Sequence, residues 1–168
     1  MSSFFLSSFL ETALTPDNIV KIIPVLSPEW SLTFKVRFTG KAPATRHGNI
    51  IHLTEGNNDS PYGSRTPALW LMPGSTQLVT FGSVNGHANH RYIHPTHLTL
   101  HHTYQCEFYQ RYVSNGQYRY YITLDGVEVH SAINNDARQF YNVKVYISNK
   151  WHSAAPGFIS KVELTNFL

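Results

Sequence analysis

The chain is poor in cysteine, in charge and in uninterrupted apolar sequence. Its single cysteine, Cys106, excludes an intrachain disulfide, and the alternation around it gives a packed thiol rather than a nucleophile. Charged residues make up 14% of the chain, against roughly 25% in ordinary globular domains. The surface must therefore be built from Ser, Thr, Asn, Gln, His and Tyr, which suits neutral polar partners. A net charge of +3 with His neutral is too small and too scattered for a phosphate backbone, so no nucleic acid is expected as a partner. No apolar run approaches the ~18 residues of a membrane span, so no membrane insertion is expected. A sustained 3.6-residue period is also missing, apart from Ser7–Leu14, where a short helix is expected.

What is present is apolar residues at 42%, aromatics at 14% and turn residues at short intervals. That composition belongs to a globular chain, and 168 residues suit a single domain. Residues 1–16 are read as that short helix or an N-terminal extension. The opening ten residues are apolar but lack a basic stretch and a small-residue cleavage site. They are either a trimmed leader or the first packed segment.

Residues 103–133 are the most legible part. Three alternating segments are joined by Ser114-Asn115-Gly116, which suits a three-residue loop with a bulge, and by Asp125-Gly126, which suits a two-residue hairpin turn. Tyr104, Cys106 and Phe108 then share the buried side with Tyr118, Tyr120, Ile122 and Leu124. The other side pairs Tyr109 with Tyr121 and His130, and Arg111 with Arg119. Ser31–Phe38 alternates in the same way, and further short segments cover Asn18–Ile23, Asn49–Thr54, Pro67–Met72, Thr76–Phe81, Tyr92–Leu100, Phe140–Ser148 and Gly157–Phe167. The pattern predicts an all-β, antiparallel two-sheet sandwich.

Four stretches carry a resemblance: Pro28–Phe34 (PEWSLTF), Gly48–Thr54 (GNIIHLT), Gly63–Trp70 (GSRTPALW) and Asn142–Tyr146 (NVKVY), with Trp151 and Pro156–Ile159. Over roughly Asp17 to Asn166 the chain resembles the concanavalin A-like, laminin G-like jelly-roll domains of aquatic animals. Members of that group resemble the galactose-binding lectins of sea anemones and corals. The resemblance implies a jelly roll, an extracellular or secreted setting, and glycans or glycoproteins as partners, galactose-type sugars among them. It fixes fold more firmly than function, because this architecture hosts lectins, adhesion modules and glycan-cleaving enzymes alike.

Candidate binding residues fall in two groups. The outer meander face offers Tyr109, Arg111, Arg119, Tyr121 and His130, with rings for a pyranose to stack on and Arg and His to bind hydroxyls. Cross-strand aromatics also stabilise a sheet by roughly 0.2–1 kcal/mol, and two opposed arginines need a nearby anion. The second group, Asn85, His87, Asn89 and His90, lies in a polar stretch read as a loop between strands. Its H-x2-H-x3-H-x2-H spacing through His94 and His97 lacks acidic or thiol ligands, which argues against zinc. In a third loop, Asn57, Asn58 and Asp59 offer oxygens to calcium, or form an Asx-rich turn with no metal. Arg65 is expected to hold that loop through a carboxylate such as Asp59. No E-x-D-x-x-E run supplies a glycosidase carboxylate pair, and no G-x-S-x-G elbow occurs, so no enzymatic activity is expected. The reading is a lectin-like module, a homo-oligomer being compatible with it; the alternative is a non-catalytic adhesion or scaffold module. Ten histidines predict that binding or assembly responds to mild acid.

Overall fold

In the computed structural model, residues 1–7 and 9–167 are described, and they contain strands and no helix. In chain order these are β1 (Ser2–Phe5), β2 (Thr12–Ala13), β3 (Ile19–Leu26), β4 (Trp30–Phe38), β5 (Gly48–Thr54), β6 (Ala68–Leu71) and β7 (Gln77–Val84). They continue as β8 (His87–His97), β9 (Thr103–Ser114), β10 (Gln117–Leu124), β11 (Val127–Asn134), β12 (Phe140–Ile147), β13 (Ser153–Ala154) and β14 (Gly157–Asn166). The first sheet runs β1-β14-β4-β9-β10-β11, with β2 also on β14. The second runs β3-β12-β5-β6-β7-β8, with β13 on β5. Among the described residues only β13 pairs in parallel.

Alternation explains the layering. Leu32, Phe34, Val36 and Phe38 of β4, Cys106 and Phe108 of β9, and Tyr120 and Ile122 of β10 point into one buried cluster. Leu53, Leu69, Leu71, Val143 and Val145 meet them from the second sheet, and Phe34 stacks on Phe108 with ring centroids 6.3 Å apart. Tyr109 lies opposite Tyr121 and Arg111 opposite Arg119, as the turn spacing predicts. The first turn differs in detail. It is a two-residue Asn115-Gly116 turn with positive φ at both positions, and a bulge at Val113 supplies the extra residue. The inserted residue moves from the loop to the strand, so the facing is unchanged.

Three expectations are corrected. His130 does not join Tyr121: a bulge at Val129 puts Ser131 opposite Tyr121 and His130 opposite Ile122, so the imidazole turns inward. The stretch Asn85–Arg91 is not a loop: only Asn85-Gly86 forms a turn, and His87–Arg91 opens the edge strand β8, which runs on through the expected strand segment to His97. Pro95 is tolerated because an edge strand leaves one side of its backbone unpaired. The short helix over Ser7–Leu14 is absent among the described residues, Ser8 lying outside them. The free edge of β14 takes β1 and β2 as ladder partners instead, and a backbone bonded there cannot also coil.

Candidate functional site

The outer face of a sheet in a two-layer sandwich normally meets solvent and is polar. On the second sheet it does not. Ala68 and Trp70 of β6 and Val79 of β7 are buried there in a small cluster separate from the main core, with Met72, Phe81 and Ile93 packed around it. Trp70 is 1% exposed and His52 of β5 is 0% exposed. Two loops cover them. The loop before β6 brings Arg65 over the rings of Trp70 and Phe81, 4.8 and 4.6 Å from their centroids. The loop after β12 brings Trp151 to 5.5 Å from His52 and His152 to 5.5 Å from Trp70.

A buried polar network ties the two loops to the sheet. His52 Nε2–H donates to the Ser64 carbonyl at 2.7 Å, and its Nδ1 accepts from the Asn149 amide at 2.9 Å. Asn149 Oδ1 in turn accepts from the backbone N–H groups of Trp151 and His152, at 3.1 and 2.9 Å. Asn49 donates to the Leu69 carbonyl and accepts from the Asn149 N–H at 2.7 Å. The segment carrying the partly buried Trp151 and His152 rings is thus positioned by Asn149, which is fully buried below it and bonded to His52. Such a network is costly if incomplete and rigid if complete. Here it holds Trp151 and His152, with Arg65 bonded to Asn58 and Asn89 beside them and the His47 ring edge-on to His152, and all four are partly buried.

The electrostatics follow from that placement. Burial, opposed in part by the bond to Ser64, holds the His52 pKa down at about 4, so His52 is neutral at pH 7. Burial and then the Arg65 charge hold His47 below its ordinary value. His152 is lowered by burial, then by His47 and Arg65, with Asp59 pulling the other way.

The candidate residues read from the sequence are distributed unevenly around this patch. Asn89 reaches it: its amide donates to the Asp59 carbonyl at 2.6 Å, and its Oδ1 accepts from Arg65 Nη1 at 2.9 Å. Arg65 Nε donates to the Asn58 carbonyl at 2.7 Å, so Arg65 does hold the loop, through a carbonyl rather than a carboxylate. His87 is exposed on the strand edge. Asn85 is a turn residue with φ 53°; its N–H donates to Asn134 and its Oδ1 accepts from Asn135. His90 belongs to neither outer face. It meets His130 between the sheets at 2.9 Å, and His130 stacks on Tyr92 with centroids 4.7 Å apart.

On the outer face of the first sheet Tyr109 and Tyr121 stack, centroids 4.8 Å apart and planes 16° from parallel. Arg119 covers Tyr121 at 4.7 Å and pairs with Glu128, while Arg111 pairs with Glu29 at 2.9 Å. The two opposed arginines thus have their own carboxylates, and the tyrosines spend one ring face on each other. Burial, with Glu107 adding to it, pushes the Tyr109 pKa up to about 12.

The three side chains expected to offer oxygens to calcium, Asn57, Asn58 and Asp59, lie on one loop beside Arg65, and Asn58 Oδ1 is buried there with no hydrogen-bond partner among the described residues. The carbonyls of Asn57, Asn58 and Asp59 accept from Thr54, Arg65 and Asn89, and the cation among them is the Arg65 guanidinium. Among the described residues, no three acidic, His or Cys side chains gather as metal ligands. An apolar cavity by Leu6, Val20, Ile147 and Ile159 is about 160 Å³, below the roughly 300 Å³ where small-molecule sites begin.

No model of a known protein family matches the chain, and no curated protein matches it in sequence. Solved structures do match. The heptameric SAP-like pentraxin from Limulus polyphemus superposes with a TM-score of 0.59 at 11% identity, over 99% of this chain and 77% of the pentraxin. A variant of an alginate lyase in complex with alginate tetrasaccharide gives 0.55 at 14% identity, over 98% and 80%. A carbohydrate recognition domain gives 0.51 at 9% identity, over 99% and 88%. The fold is a jelly-roll β-sandwich. At such identities the likeness extends to the fold alone.

Proposed function

We propose that the chain is a carbohydrate-binding, lectin-like module that works outside cells and binds through the outer face of its second sheet. The observation that carries this is the buried tie Ser64–His52–Asn149 beneath the half-exposed Trp151, His152 and Arg65. Sugars are bound by a ring to stack on and by fixed polar groups that meet hydroxyls. Trp151 supplies the ring; His152, His47 and Asn89 supply donors and acceptors. The low charge of the surface supports a neutral polar partner, and a carbohydrate recognition domain and a pentraxin share the fold. Galactose-type sugars are the first to try, on the strength of the sequence resemblance. We assign no catalytic step to this face.

A glycan array, run with and without EDTA, tests this directly. Binding is expected, unchanged by EDTA, abolished by Trp151→Ala and unaffected by Tyr109→Ala. Loss with Tyr109→Ala but not with Trp151→Ala would move the site to the first sheet. Silence across the array would end the lectin reading. One observation favours an adhesion role in that case: Phe5, Phe9 and Leu10 are 70%, 75% and 78% exposed, an apolar edge suited to a protein partner or a second copy.

A further inference from the structure

Four arginines of the chain, Arg37, Arg111, Arg119 and Arg138, each pair with a carboxylate. Arg65 is half-buried and, among the described residues, has no carboxylate within ion-pair distance. A guanidinium withdrawn from water without a counter-charge is costly. Two of its nitrogens are bonded, to Asn58 and Asn89, and Nη2 has no acceptor among the described residues. His152 lies against the same Trp70 ring that Arg65 covers. Its Nδ1 contacts Asn149 at 3.3 Å, which leaves Nε2 unbonded. The His47 ring stands edge-on to His152 at 6.4 Å, and neither of its nitrogens is hydrogen-bonded among the described residues. Three nitrogen-bearing groups thus converge over one aromatic floor, the guanidinium with a donor to spare and the two imidazoles with nitrogens that donate once protonated.

We propose that this patch accepts an anionic substituent, a carboxylate or sulfate carried on a glycan, between Arg65, His47 and His152. The inference rests on the lectin-like reading and names the class of sugar. An anion there supplies the counter-charge Arg65 lacks and favours protonation of both imidazoles, which Arg65 otherwise opposes. Other charged or titratable groups face the patch: Arg91, opposite Phe81 in the ladder, favours an anion, and Tyr146, packed on Trp151, is held neutral by burial that raises its pKa. Asp59 opposes an anion, Lys150 over the Trp151 ring favours it, and His52 is kept neutral by its burial. Arg65 also orders its loop, but a guanidinium with Nη2 to spare and two imidazoles beside it that each keep an unbonded nitrogen is more than that role needs.

Calorimetric titration with oligogalacturonate, its methyl ester, sulfated dextran and plain dextran, at pH 7.5 and 5.5, tests the proposal. The charged form of at least one pair should bind, about tenfold more tightly at pH 5.5 than at 7.5, the effect of roughly one proton per pKa unit. Its neutral counterpart should show no such rise. The oligogalacturonate arm reports a carboxylate and the dextran arm a sulfate. His47→Gln combined with His152→Gln should remove the acid enhancement while the melting temperature confirms a folded protein. Arg37→Gln, on the far sheet, should leave affinity unchanged, and an equal loss there would mean a diffuse field and overturn the site. Equal affinity for charged and neutral forms also overturns it, while array binding of neutral sugars through Trp151 would leave the lectin reading standing. If no glycan binds, charged or neutral, the lectin reading fails and this inference with it.

Discussion

His90 of β8 and His130 of β11 face each other between the two sheets with their Nε2 atoms 2.9 Å apart. One Nε2 must donate and the other accept, so the pair is compatible with one proton at that contact and not with two. Burial, and then a neighbouring histidine, holds both below their ordinary pKa. In each case the unfolded chain binds the proton more readily than the folded one. Stability contributed by such groups is present above the unfolded value of about 6.5 and is lost as pH falls below it. His47, His94 and His152 are shifted in the same direction. Urea midpoints should therefore fall between pH 7.5 and 5.5. His130→Gln, which cannot charge, should flatten part of that slope. A midpoint constant across this range would remove the argument.

His52 deserves a separate test because its bonds, not only its burial, fix its state. Holding the pKa from 6.5 down to about 4 corresponds to ~3 kcal/mol of folding free energy exposed to acid. In Asn149→Asp the carboxylate accepts where the amide donated, so His52 must carry protons on both nitrogens to keep Ser64 bonded. Its folded pKa should rise above the unfolded value. The sign then reverses: this group stabilises below about pH 6.5 and loses that contribution as pH rises through the new folded pKa. The variant should lose less stability on acidification than the wild type. Asn149→Ala strands several buried groups and should cost on the order of 3 kcal/mol at neutral pH. A carbon-13 chemical-shift titration of His52, with urea denaturation, decides between these outcomes.

The period-two pattern made the first sheet legible in the sequence almost row by row, because Tyr109, Tyr121, Arg111 and Arg119 lie between turns of known length. The second sheet hid its site behind a bulge. Asn49 lies opposite Trp70, Ile51 opposite Leu69 and His52 opposite Ala68, with Ile50 skipped. Residues three apart, Asn49 and His52, thereby share the outer face, which strict alternation forbids. The same device at Val129 moved His130 inward. His47, Trp151 and His152 sit on loops and become neighbours of Trp70 only through tertiary folding. The one sequence signal for them was a lone Trp alternating with Ala68 on a strand otherwise apolar on both sides. A half-solvated strand would not carry it.

Cys106 is buried on the inner face of β9, and burial pushes its thiol pKa up, Asp125 and Glu107 adding to the effect. A thiol without thiolate character or access is inert. Native protein should show negligible reaction with a disulfide reagent such as DTNB at pH 8, with one equivalent released on unfolding in guanidinium. Rapid labelling of the folded chain would contradict the inward register of β9.

Two glycines separate a packing demand from a conformational one. At Gly157 a Cβ would lie 2.5 Å from the Arg37 carbonyl oxygen and 3.1 Å from Phe38 Cα, both backbone atoms of β4, the strand against which β14 pairs. Neither can yield without prising β14 from β4, so Gly157→Ala should cost more than about 2 kcal/mol. At Gly116 a Cβ meets nothing within 4 Å, but φ is +74°. There the cost of Gly116→Ala is backbone strain alone, about 1 kcal/mol. Urea denaturation of the two variants should rank them in that order. Equal midpoints would mean that β14 does not press against β4 as closely as the register requires.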